Sequence, residues 1–215
     1  MAYFPFFVDI EGQDCLIVGG GNVAYRKVLV LADYGVRIRV VAPELEEELT
    51  ELEKRFREEG RGDFLTLICR KFEDRDLEGA DFVVAATEDE ALNHRISALC
   101  RESKTPVNVV DVQAECSFIF PALVRDGDIT VGISTGGSSP TIAQYLKRQF
   151  REAIPEGFGE LAAELGSYRE LVKEQVDDIS VRTELFRAMV DEGIARGCRL
   201  SREEAQEMIR RRLER

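Results

Sequence analysis

Cys15-Leu16-Ile17-Val18-Gly19-Gly20-Gly21-Asn22-Val23-Ala24 is the stretch that decides how this 215-residue chain is read. Its first four residues form a continuous apolar run, as expected of a strand buried on both faces of a sheet. The next six match G-x-G-x-x-A. Residues 22–34 then carry Val23, Val28, Leu31 and Ala32 near helical spacing, and Gly35 follows as a stop. Strand, glycine turn and helix in that order form a dinucleotide-binding signature. Gly19 permits the tight turn, Gly21 lets a pyrophosphate approach the backbone, and the small Ala24 lets the helix pack on the strand. The helix start, at Asn22 and Val23, offers free N–H donors to the anion.

Working outward, residues 36–41 alternate as a second strand. Residues 44–60 are acidic and helical, with Pro43 suited to a first turn. Third, fourth and fifth strands are predicted at 64–68, 81–85 and 106–110, with a helix over 89–103. That rhythm predicts an α/β fold, a Rossmann-type parallel sheet wound by right-handed crossovers. A carboxylate should close the second strand and bind the adenine ribose. Glu44 is the candidate, although it comes later than the simplest pattern and reads equally well as a solvated first-turn residue. No Arg or Lys follows at once to hold a 2′-phosphate, which favours NAD over NADP. Ala86 and Thr87 close the fourth strand where the sheet's carboxyl edge would meet the cofactor, and Thr87 doubles as a candidate helix cap. His94 reads as a surface or packing residue.

After Asp111 the pattern changes. Extended runs at 117–124 and 129–134, joined by Arg125-Asp126-Gly127-Asp128, predict an antiparallel hairpin. In the loop that follows, Ser139 with Pro140 makes good helix-start chemistry. One cap does not require all of Ser134, Thr135, Gly136, Gly137 and Ser138, and these are candidates for binding substrate carboxylates through backbone N–H groups. The remainder is helical. Ser201 with Glu204 fits a capping box, and Arg210-Arg211-Arg212 reads as a solvated helix end. Three pieces are expected: a nucleotide-binding domain over 1–112, a hairpin-bearing segment over 113–150 and a helical domain over 151–215.

Composition excludes several classes of function. The net charge of -12 argues against nucleic-acid binding. It also means that any site for a polycarboxylate must supply local donors against the overall field. No apolar run reaches membrane-spanning length, and Met1-Ala2-Tyr3-Phe4-Pro5-Phe6-Phe7 lacks a basic leader and is expected to belong to the fold. Five cysteines without CxxC spacing, and a single histidine, suggest a reduced cytoplasmic protein with no metal site.

Several motifs occur together in one order: Phe4-Pro5-Phe6-Phe7, the glycine turn, Ala85-Ala86-Thr87, Asn108-Val109-Val110-Asp111, Ser117-Phe118-Ile119-Phe120-Pro121-Ala122 and Ser134-Thr135-Gly136-Gly137-Ser138-Ser139-Pro140. This series resembles the precorrin-2 dehydrogenase and sirohydrochlorin ferrochelatase family, including the N-terminal module of siroheme synthase. It covers residues 1–150 closely and the helical tail loosely. The resemblance implies NAD-dependent oxidation of the tetrapyrrole precorrin-2 to sirohydrochlorin, and a homodimer joined through the central segment. It also implies cofactor contacts at Asn22, Val23, Pro43 and Glu44, and a functional aspartate at Asp111. Asp111 follows the fifth strand at the edge where such sheets bind ligands, and a carboxylate there could take the proton that dehydrogenation releases. Two alternatives stand beside this reading: an enzyme that also inserts ferrous iron, and a non-catalytic nucleotide sensor.

Overall fold

The computed structural model describes residues 3–213, which divide at Phe120/Pro121 into two compact units. The first unit holds a five-stranded sheet of β1 (Asp14–Val18), β2 (Arg37–Ala42), β3 (Leu65–Cys69), β4 (Phe82–Ala85) and β5 (Val107–Val109). Every pairing is parallel and the order is β3-β2-β1-β4-β5. The helices α1 (Asn22–Ala32), α2 (Glu47–Glu58) and α3 (Glu90–Ser103) connect β1 to β2, β2 to β3 and β4 to β5. The period-2 alternation of a strand sorts the core into two layers. Cys15 and Ile17 join Ala24, Val28, Leu49 and Leu52 on the side of α1 and α2, while Leu16 and Val18 join Ile96 and Cys100 on the side of α3. Both faces are therefore covered, which is why the strands read as continuous apolar runs.

Between β3 and β4 the chain makes only a short 3-10 turn, Asp74–Leu77. Arg70 holds it in place by a two-pronged ion pair to the buried Asp76, at 2.8 and 2.5 Å. The hydrogen bonds from Arg70 hold the Asp76 carboxyl below its ordinary pKa. At the outer strands, side chains take three of the backbone amides. The Leu67 N–H donates to Glu53 Oε1 at 3.2 Å, that of Val107 to Ser117 Oγ at 2.7 Å and that of Val109 to Cys116 Sγ at 3.2 Å.

Three expectations need correction here. The second helix starts at Glu47, not near Glu44: the chain first crosses the glycine turn, with Glu46 N–H donating to Gly20 O at 2.9 Å. The first hairpin strand starts at Ala122, because Phe118 and Phe120 pack into the first unit's core instead of extending the strand. Phe118 stands edge-on to Phe82, and the Lys27 ammonium sits 3.6 Å over the Phe120 ring. Finally, Phe4, Phe6 and Phe7 are exposed, and the chain joins the core only at Ile10. Met1 and Ala2 of that segment lie outside the described residues.

The second unit opens with the antiparallel hairpin β6 (Ala122–Asp126) and β7 (Ile129–Ile133). Its two-residue turn has Gly127 at φ 52°, a position where mirror-image hairpin turns need glycine. Then come α4 (Pro140–Ala153), α5 (Phe158–Ser167), α6 (Arg169–Gln175), α7 (Ile179–Ala195) and α8 (Arg202–Leu213). The last four helices surround Leu161, Val172, Leu185, Met189, Leu200 and Ile209. α5 begins at a glycine that offers no capping side chain, and Asp126 from the hairpin turn accepts the Gly159 N–H at 2.9 Å in its stead. The capping box of α8 is formed as expected, with Ser201 N–H to Glu204 at 2.9 Å and Glu204 N–H to Ser201 at 3.3 Å.

Candidate active site

The sheet's winding reverses between β1 and β4, and in such folds ligands bind beyond the carboxyl ends of the strands at that point. Gly19 and Ala86 meet there. Gly19 has φ +121°, and a Cβ on it would lie 2.2 Å from Ala86 O. Gly20 is equally constrained: its Cβ would lie 2.2 Å from Glu44 O. Backbone passes so close on both sides that neither residue can carry a side chain. Gly21 differs. Its φ of −88° and ψ of −173° suit any residue, and nothing lies within 4 Å of where its Cβ would be. It is also the N-cap of α1, a position favouring Ser, Thr, Asp or Asn, yet it supplies no capping side chain. Neither folding nor packing requires glycine here. An open approach to the α1 N-terminus does, and the residues present therefore fit a dinucleotide pyrophosphate.

The loop at the end of β2 lies against this turn. Pro43 and Glu44 are exposed, and Glu44 is not a helical first-turn residue, so that alternative is removed. Thr87 is not the cap of α3 either: Asp89 is, accepting the Leu92 N–H at 3.0 Å. Thr87 is instead held by Asn93, whose Oδ1 accepts from the Thr87 N–H at 3.3 Å and from its hydroxyl at 2.7 Å, while Nδ2 donates to Thr87 O at 2.9 Å.

Asp111 is exposed one residue beyond Val110, whose N–H donates to Ala85 O at 3.0 Å, so it belongs to the same carboxyl edge as Gly19 and Ala86. Its φ is +62°, left-handed backbone that Asp tolerates better than most residues and that recurs at functional sites. The turn carrying it closes on the Cys116 thiol, which accepts from the Val109 N–H at 3.2 Å and lies 3.1 Å from Val109 O. Burial pushes the Cys116 thiol up, keeping it protonated at neutral pH and able to donate. Asn108 is a structural neighbour, donating to Phe118 O at 3.1 Å. His94 is exposed, with Nδ1 2.6 Å from Glu115 Oε1.

The Ser134, Thr135, Gly136, Gly137 and Ser138 loop belongs to the second unit. Much of its polar chemistry turns inward. Ser134 Oγ accepts the Gly136 N–H, Thr135 Oγ1 donates to Ser139 O and accepts its N–H, and Ser139 Oγ accepts the Ile142 N–H, all at 3.1–3.2 Å. The Gly137 N–H and the Ser138 hydroxyl have no partner among the described residues. The same unit has a cavity of about 260 Å³ lined by Arg125 and Arg151, but Asp126, Glu156 and Glu160 line it as well, so it is no cationic cleft.

Sequence reasoning missed Gly20, Asn93 and Cys116. A signal existed for Asn93, a polar residue on the stripe Asn93, Ile96, Ser97, Cys100 that buries α3. Cys116 gave none beyond its residue type.

Sheet order, glycine turn and switch point define a dinucleotide-binding α/β unit. Residues 6–122 match a family model described as NAD(P)-binding, and the chain belongs to that family. Among curated relatives, a siroheme synthase of Thioalkalivibrio sulfidiphilus is 40% identical over 191 residues, covering 89% of this chain and 38% of that protein. One from Ectopseudomonas mendocina is 37% identical over 217 residues, covering 99% and 44%. The chain thus spans about two fifths of the length of these relatives. Among solved structures, SirC, a precorrin-2 dehydrogenase, covers 99% of this chain and all of its own at 25% identity and a TM-score of 0.71, so the two share a fold throughout.

Proposed function

We propose that this chain is an NAD-dependent dehydrogenase that oxidises precorrin-2 to sirohydrochlorin in siroheme formation. The observation that carries the cofactor half is Gly21, a glycine required neither by its backbone angles nor by any neighbour. The substrate half rests on similarity to SirC along the full length of both chains.

In this reading the α1 N-terminus at Asn22 and Val23 receives the pyrophosphate, Pro43 and Glu44 meet the adenosine end, and Ala86 and Thr87 line the path toward Asp111. The absence of a basic residue directly after Glu44 supports NAD over NADP. The dinucleotide supplies hydride acceptance. The protein must dispose of the proton that leaves with each hydride, and the exposed Asp111 carboxylate is the group proposed to accept it. Of the serine-glycine loop, the Gly137 N–H and the Ser138 hydroxyl are the donors left for a substrate carboxylate, while Ser134, Thr135 and Gly136 give the loop its shape.

A homodimer is part of the proposal. On α4, Ile142, Tyr145 and Phe150 are exposed and only Ala143 is buried, which leaves an apolar helix face beside the hairpin for a second copy. No helix among the described residues is long and apolar enough to cross a membrane, and the five cysteines are free, which supports a cytoplasmic location.

The test is sirohydrochlorin formation from precorrin-2 and NAD by the purified chain. Turnover is expected, and Asp111→Asn should lower it by about 10²- to 10⁴-fold with NAD affinity kept. NAD binding without turnover would leave a nucleotide sensor; a variant rate within about threefold of the parent would remove Asp111 from the chemistry.

A further inference from the structure

We propose that Asn93 is a positioning residue for the cofactor turn, acting through the Thr87 peptide. It rests on the cofactor reading above.

The wall against which Gly19 turns is the peptide joining Ala86 to Thr87. A Cβ on Gly19 would lie 2.2 Å from Ala86 O, 2.6 Å from Ala86 C and 3.1 Å from Thr87 N. The strand pairing fixes Ala86 from one side, through its N–H to Val18 O at 2.8 Å. Beyond Ala86 the ladder ends, and the next residue has no strand partner to fix its peptide planes. Asn93 supplies that partner. Its amide pairs with both the N–H and the C=O of Thr87, as a neighbouring strand's peptide would, and its oxygen takes the Thr87 hydroxyl as well. Only a side chain with donor and acceptor in one plane can do this; a carboxylate of the same shape could accept but not donate. Asn93 is 5% exposed and its bonds to the half-buried Thr87 are partly shielded from water, where an unpaired partner carries a cost. The residue thus carries the geometry of the sheet one step past its last strand bond, to the edge of the dinucleotide turn.

The experiment combines NAD titration with amide hydrogen exchange on the full chain. In Asn93→Ala the NAD dissociation constant, measured per folded molecule, should rise about tenfold, the loss of roughly one buried hydrogen bond. Ser97→Ala is the matched comparison. Ser97 is buried one turn later on α3 and bonds Glu115 O at 3.2 Å, not the Thr87 turn, so its variant should lose stability with NAD affinity unchanged. Equal affinity in Asn93→Ala and the parent overturns the proposal. A parent that binds neither NAD nor NADP overturns the cofactor reading itself. The parent alone gives a second measurement, independent of how the variant folds. The Thr87 amide should be protected from exchange before NAD is added, and free exchange that ceases only on NAD binding would assign the turn's order to the cofactor and not to Asn93.

Discussion

The chain has two glycine-rich turns of similar composition, Gly19-Gly20-Gly21 and Gly136-Gly137, and they are glycine for different reasons. In the first, Gly19 and Gly20 are hemmed in by the carbonyls of Ala86 and Glu44, and Gly21 stands open. In the second, no atom lies within 4 Å of a Cβ on Gly136, and the backbone itself demands glycine, at φ 62° for Gly136 and 86° for Gly137. The first turn leaves the N–H groups of a helix start unfilled by any capping side chain, whereas the second satisfies most of its groups with Ser134, Thr135 and Ser139. A glycine motif therefore signals a ligand only where both packing and backbone angles fail to explain a glycine.

Three substitutions test that distinction. Gly20→Ala drives a methyl into the Glu44 carbonyl and should cost about 3 kcal/mol of stability, read from the denaturant midpoint; a loss below about 1 kcal/mol would mean that the loop over the turn gives way. Gly21→Asp should leave stability within about 0.5 kcal/mol of the parent, since Asp is a good N-cap in an unstrained conformation, yet weaken NAD binding about a hundredfold. Undiminished binding in the folded variant would break the comparison at its centre. Gly136→Ala should lose about 1 kcal/mol through left-handed strain, with NAD affinity unchanged and the KM for the tetrapyrrole within about threefold. A large rise in KM would move Gly136 from shaping the loop to binding substrate.

The parallel sheet was legible because strands covered on both faces show themselves as apolar runs, and the G-x-G-x-x-A turn because its spacing is local. The start of α2 was not. Pro43 and Glu44 read as a helical first turn, but the chain bends there and bonds Gly20 through the Glu46 N–H before the helix begins at Glu47. Likewise Phe118-Ile119-Phe120 has strand composition, but a core whose buried residues are distant in sequence, Phe82 and Val84 among them, claims its rings. At the candidate site, Gly21 and Asp111 could be named from pattern and resemblance, and His94 reads correctly as a surface residue, whereas Asn93 draws no attention from residue type alone. Burial singles out the asparagine, and burial depends on which stripe of α3 faces inward.

The side chains that take backbone amides of β3 and β5 bear on how copies of this chain meet. An open parallel sheet has two raw margins, each a template on which another molecule's strand could grow into a polymer. Glu53 occupies the Leu67 amide on one margin, and Ser117 with Cys116 occupies two amides on the other. A strand docking on either margin would have to displace these side chains, which disfavours growth by sheet extension from the native state. Any contact between copies is left to faces built of side chains, such as the exposed Ile142, Tyr145 and Phe150 of α4.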